Sequence, residues 1–175
     1  MSIENLKEEV KQTVDEIKSG DFFRELTDEE KKKIKDETGW SHAIIDAIGS
    51  WKEYEIYKKA GLKEAEINGK KCLIRDDIDW DQKDAEGRTN RERVNLKPPE
   101  GPLVPINKNG EKVELHHIGQ HQDSPFAELT MQEHRSKENY AILHDTSKEE
   151  SEIDRNQFNK EKKEYWQARA AEGVE

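Results

Sequence analysis

Five of the six histidines fall between positions 116 and 144, and two of them are adjacent in Leu115-His116-His117. Few arrangements constrain a chain more. Imidazole ligates divalent metals and also titrates near neutral pH. Adjacent side chains on a strand point to opposite faces, so a tandem pair at a strand end can divide two tasks. One ring can hold a cation while its neighbour takes a proton from water. His116 is assigned to the metal and His117 to the base, although spacing alone does not order the two. His134 supplies a second ligand. The third is open: His144 lies ten residues further on and returns only if the chain turns back near Asn139-Tyr140. Glu138 shares a helix face with His134 at i+4. Gln120 and His121 are candidates for placing phosphate or water.

The remaining composition narrows the chemistry. A lone Cys72 excludes an intrachain disulfide and a Cys-rich zinc site, and it reads as a small buried residue on a strand. Structural zinc sites usually contain Cys, and none lies near the histidines. With 40% charged residues, the 175-residue chain allows a modest core. The start Met1-Ser2-Ile3-Glu4-Asn5 is not a secretory signal, and no stretch is apolar enough to span a bilayer. This reads as a cytoplasmic protein, or as one delivered within a secreted toxin.

A net charge of −10 counts against nucleic-acid binding, but it is unevenly spread. Residues 88–112 sum to +3 and residues 113–153 to −6. A basic arm beside an acidic, metal-attracting centre suits a nuclease. The plainer alternative is that the charge serves solubility.

The first half reads helical. Ile3, Leu6, Val10, Val14 and Ile17 recur at helical spacing behind a Ser2 cap, and Gly20 ends the run. Thr27-Asp28-Glu29-Glu30 is a capping box. Ser41 caps a short helix carrying Ile44, Ile45 and Ile48. Ser50 with Glu53 opens another that ends near Gly61. Asn68-Gly69 marks a hairpin between Ile67 and Cys72. Asp76 to Pro105 reads as a long ordered loop. Asn109-Gly110 marks a second hairpin, pairing Pro105-Ile106 with Val113–His117, and Phe126–Leu129 is the partner strand of that region. Thr130-Met131-Gln132-Glu133 is a further capping box, which puts His134 in the first turn of a helix. A last helix begins near Asp154 and carries Phe158, Tyr165 and Trp166.

Hairpin, His pair, strand and His-bearing helix, in that order, make a ββα-metal arrangement. The expected fold class is α+β: a ββα-metal core with a mostly helical N-terminal region and a C-terminal helix. Residues 1–75 form the helical region with its hairpin, and residues 76–175 form the catalytic domain.

Several separated motifs occur in order. They are Asp84–Arg93, Pro105-Ile106, Leu115–Gln120, Ser124–Thr130, Glu133-His134-Arg135, Ile142-Leu143-His144, Ile153-Asp154-Arg155 and Tyr165-Trp166. Together they resemble the LHH group of the HNH/endonuclease VII nucleases over about residues 76–169. The resemblance implies a metal-dependent endonuclease using one divalent ion (Zn, Mg, Mn or Ni), with His116, His134 and His144 as ligands and His117 as base. It also implies a DNA substrate and a toxin module of bacterial competition, neutralised by a dedicated immunity protein. Arg88 and Asn90 match the family's Gly-Arg-Thr-Asn segment. Phosphate contacts are expected from Arg88, Asn90, Arg91, Arg93 and Gln120, with Arg155 as an addition. After His134, Lys137-Glu138-Asn139 departs from the small-residue break that would return His144, which keeps Glu138 open. The competing readings are an RNA-directed nuclease, a non-enzymatic zinc-stapled acidic interaction module, and an acidic inhibitor that mimics nucleic acid.

Overall fold

Three capping boxes start three of the helices. In each, a Thr hydroxyl accepts the N–H of a Glu three residues on, and that Glu carboxylate accepts the Thr N–H. Thr27 with Glu30 opens α1 (Asp28–Thr38), which Gly39 ends in the left-handed conformation. The short α2 (His42–Ile45) and α3 (Trp51–Lys59) follow, and the Ser50 hydroxyl caps α3 by accepting from Glu53 N. Ser41 occupies the cap position of α2 without a side-chain cap bond. The computed structural model describes residues 25–144 and 153–172; the amphipathic run from Ile3 to Ile17 lies outside them.

The Asn68-Gly69 turn has both residues at positive φ and joins β1 (Lys63–Ile67) to β2 (Lys70–Ile74), as its sequence predicts. The stretch read as a loop contains α4 (Asn90–Asn95), opened by Thr89 and Glu92. That capping box is visible in the sequence, inside the longer Asp84–Arg93 motif.

The second hairpin differs from expectation. Only Ile106 bridges, to Lys112, and Pro105 has no N–H with which to extend a ladder. Instead β3 (Val113–His117) pairs antiparallel with β4 (Phe126–Thr130), setting His116 opposite Ala127 and His117 opposite Phe126. The ββ pair of the ββα unit is therefore β3 and β4. Its helix is broken in two: α5 (Met131–Arg135), opened by Thr130 and Glu133, and α6 (Lys137–Leu143). The last helix, α7 (Arg155–Glu172), is capped by Asp154, whose carboxylate accepts the Asn156 and Gln157 N–H groups.

The four strands form one sheet in the order β1-β2-β4-β3, with β2 parallel to β4 at Leu73 and Ala127. Alternation along the strands gives each face its own core. Leu73, Ala127 and Leu129 pack with α1, α2, α3 and α6, through Ile34, Ile44, Tyr54 and Ile142. Cys72, Ile74, Val113, Leu115 and Phe126 pack with Phe158, Tyr165 and Trp166 of α7. The result is an α+β protein with helices on both faces of a small sheet. The expected division near residue 75 runs through this sheet rather than between two packed units, because β2 is hydrogen-bonded to β4. Cys72 is buried on β2, as expected, and burial pushes its thiol up to about 11. Among the described residues no helix is long and apolar enough to cross a membrane.

Candidate metal centre

At the end of β3 the two adjacent imidazoles diverge. His116 shares a strand face with Glu114 and points toward α5 and α6. Its ring lies 5.2 Å from the His134 ring and 5.1 Å from the His144 ring, and those two are 5.0 Å apart. One nitrogen of each ring falls within 4.8 Å of the others. His117 points to the opposite face, between Phe126 and Phe158, at ring separations of 4.9 and 4.4 Å. Both nevertheless border one small cavity of about 100 Å³, lined also by Gln120, His134, His144, Arg155 and Phe158.

The donor chemistry of the triad fits a divalent ion. The His134 Nδ1 faces Glu114 Oε1 at 3.3 Å, and the His144 Nδ1 faces the Tyr140 carbonyl at 3.2 Å. Such partners orient a ring and leave Nε2 for a metal. The Nε2 atoms of His116 and His134 are buried without a hydrogen-bond partner among the described residues. Buried polar atoms are rarely left unpaired, so each such atom calls for a partner, and for two imidazole nitrogens that converge with a third a metal ion fits. Burial, joined by the neighbouring imidazoles, pushes His116 well below the usual range, and burial first pushes His144 down to about 4. Both rings are thus neutral, as ligation requires.

The route by which His144 returns brings it, and not Glu138, beside His116 and His134. Ser136 adopts an extended backbone (φ −58, ψ 145) and breaks the helix directly after α5. This break comes earlier than Asn139-Tyr140. Glu138 therefore does not continue the helix of His134; it is exposed and borders a different cavity. The turn at Ser136 brings the end of α6, and His144 with it, back to β3. Gln120, at φ 62, ties the two chain segments together: its Nε2 donates to the Leu143 carbonyl at 2.6 Å. His121 is exposed and does not border the cavity.

His117 is 3% exposed, and its Nε2 is buried without a hydrogen-bond partner among the described residues. Burial pushes the ring down to about 4. It is an unprotonated imidazole at neutral pH, set beside a potential cation site without belonging to it.

The basic arm behaves differently from its sequence reading. Asn90 is fully buried, and its amide donates to the Asp79 and Ile106 carbonyls at 2.8 and 2.9 Å while accepting the Ile106 N–H at 2.8 Å. Arg93 is 6% exposed and spends its guanidinium on Asp84 at 2.5 Å and the Val104 carbonyl at 2.9 Å. Phosphate contact from Asn90 and Arg93 is therefore corrected: both brace the segment between Trp80 and Ile106. Arg91 reaches Asp81 and the Ala170 carbonyl, tying α4 to α7. Neither Arg88 nor Arg91 borders the histidine cavity. Sequence reasoning also passed over Glu114 as a partner of His134, although its placement two residues before His116 on one strand face was a usable signal.

A family model described as a nuclease of the HNH/ENDO VII superfamily with conserved LHH matches residues 94–172. No curated protein and no solved structure matched the chain. The match begins later than position 76, so Arg88, Asn90, Arg91 and Arg93 fall outside it. It spans β3, β4, α5, α6 and α7, and with them every histidine of the cavity. Over residues 94–172 the chain is therefore similar to the LHH group of nucleases of the HNH/ENDO VII superfamily.

Proposed function

We propose that this protein is a metal-dependent endonuclease that hydrolyses phosphodiester bonds in DNA, acting as the effector domain of a bacterial toxin. The observation that carries the reading is a cluster of three converging imidazoles beside a fourth, buried, unligated one. The DNA preference and the toxin role rest on the family resemblance, which also supplies a cognate immunity protein as partner.

His116, His134 and His144 would hold a single divalent ion. When bound, such an ion supplies positive charge to the phosphate and to the leaving oxygen. The chain's own residues supply the rest. Glu114 and the Tyr140 carbonyl fix the orientation of His134 and His144. His117, held neutral by burial, takes a proton from the attacking water through Nε2. A phosphodiester entering the cavity brings negative charge to that ring and favours the imidazolium, so its proton affinity rises when substrate is in place. Phe126 and Phe158, stacked on each other at 5.9 Å, both pack edge-on against the His117 ring and restrict its orientation.

The reading is tested by plasmid nicking with wild type and His117→Ala, with and without EDTA, across Mg²⁺, Mn²⁺, Ni²⁺ and Zn²⁺. General-base removal should lower the rate roughly 10²–10⁴-fold while metal binding persists. Cleavage that survives either EDTA or His117→Ala at the wild-type rate overturns it. A metal that raises the melting temperature without any cleavage would support the zinc-stapled module instead.

A further inference from the structure

We propose that Arg155 and Lys162 form a phosphate clamp on α7, holding the nucleic-acid backbone over the histidine cavity. The inference rests on the nuclease reading and names the residues that would grip its substrate.

Positions 155, 158 and 162 lie on one face of α7, at i, i+3 and i+7. Phe158 anchors that face, because its ring sits 4.4 Å from His117. Arg155, one turn before it, borders the cavity together with His116, His117, His134 and His144. Lys162, one turn after it, holds its ammonium 4.6 Å above the Phe158 ring. The two cations therefore flank the side chain that backs His117.

The Glu114 charge favours the Lys162 ammonium, while the Arg155 and Arg135 charges oppose it. Neither clamp cation is held in an ion pair among the described residues, in contrast to Arg75, Arg93, Arg135 and Arg169, which all are. They also oppose one another. Partial burial and then the Arg155 charge hold the Lys162 ammonium below its ordinary range, and the same Arg155 charge bears on the His144 ring. Two like charges beside a set of neutral imidazoles form a site that an anion would relieve. A phosphodiester fits that need, because a planar guanidinium can bind two phosphate oxygens and an ammonium a third. This position also supplies what the basic arm does not, since Arg93 is committed to Asp84, and Arg91 to Asp81 and the Ala170 carbonyl.

The experiment compares wild type, Arg155→Gln, Lys162→Gln and the double variant for binding of a fluorescent 20-base-pair duplex and for plasmid nicking with Mn²⁺, each across a salt series. Lys163→Gln, an equal loss of charge at an exposed neighbouring position, is the control. The double variant should bind at least tenfold more weakly, and its log affinity against log salt should flatten by about 0.9 for each phosphate that is no longer neutralised. Mn²⁺ affinity measured by calorimetry should stay at the wild-type value, and Arg155→Lys with Lys162→Arg should recover part of the binding. A double variant that matches Lys163→Gln in affinity and salt slope overturns the clamp. If wild type fails to nick with every metal and the double variant still loses duplex binding, the nuclease reading falls and the clamp stands.

Discussion

The Glu53 carboxylate on α3 accepts the backbone N–H of Gly119 at 2.8 Å, across 66 residues of sequence. The same oxygen accepts the Tyr57 hydroxyl, and the other accepts the Gly49 N–H at 2.8 Å. Gly119 lies two residues after His117, at φ +72, packed so closely that a Cβ would lie 2.1 Å from the Ala47 carbonyl oxygen. The helices outside the matched family segment thus clamp the turn that fixes the His pair. Gly119→Ala must move that backbone or the α2–α3 loop. A loss of about 1–3 kcal/mol of stability is expected from the strained conformation alone, with weaker metal binding alongside it. Thermal melting checks the first and calorimetric titration the second. An alanine variant with the wild-type melting temperature would show that the clamp has no structural weight.

The third ligand gives a sharper test. Glu114→Gln removes the charge that orients His134, and loss of such a partner typically weakens a metal 10–100-fold. Glu138→Gln should leave affinity unchanged, because the break at Ser136 takes it away from the cluster. Equal weakening by both substitutions would contradict the assignment of His144.

What the sequence made legible follows from how local each signal is. Capping boxes, the Asn68-Gly69 turn and the alternation that separates His116 from His117 depend on neighbours within a few residues, and they appear in the structure as read. The convergence of His134 and His144 was open because it depends on one backbone torsion at Ser136, which no periodicity announces. Arg93 and Asn90 were misread for a related reason. Their residue types suit phosphate, but the groups that occupy them, Asp84, Val104, Asp79 and Ile106, are set by tertiary packing. The Pro105 segment looked like a strand by its flanking turn and failed for want of an N–H. Glu53 carried no signal for its role, since its partner Gly119 is brought to it only by the fold.

The metal-free protein should lose stability as pH falls below neutrality. His117 and His144 are both pushed down to about 4, burial being the largest cause, and His116 lies well below its ordinary value. In the unfolded chain each ring titrates near 6.5. Between about 6.5 and 4 the unfolded chain binds protons that the folded chain refuses, so unfolding becomes easier as pH drops through that window. Above about 6.5 neither state binds these protons, and their contribution is flat. Melting in chelator at pH 7, 6 and 5 should show a falling transition temperature, and His117→Phe, which keeps an aromatic ring between Phe126 and Phe158, should reduce the slope. A transition temperature constant from pH 7 to 5 would mean that the rings are hydrated in the folded protein.

The anchoring of α7 rests on a buried charge pair. Glu128 on β4 and Arg169 on α7 are both 0% exposed, with Arg169 Nε 2.9 Å from Glu128 Oε2. The Tyr165 hydroxyl donates to the same carboxylate oxygen at 2.6 Å, and the Arg75 N–H donates to its other oxygen at 2.9 Å. Arg169 also donates to the Arg75 carbonyl at 2.8 Å, so one network joins the residue that follows β2 to β4 and α7. Desolvating two ions is costly, and such a pair adds little net stability over an apolar replacement; removing a single partner is another matter. Glu128→Ala strands a buried guanidinium and two donors, and should cost about 3–5 kcal/mol. Glu128→Gln retains acceptor capacity and should cost less. Because Phe158, Arg155 and Lys162 all ride on α7, loosening it should lower duplex binding and nicking more than Mn²⁺ affinity, which depends on β3, α5 and α6. Urea unfolding gives the first quantity and the paired binding measurements the second. Equal losses in metal and duplex affinity would show that the sheet itself has shifted, and that α7 is not the separately anchored wall of the site.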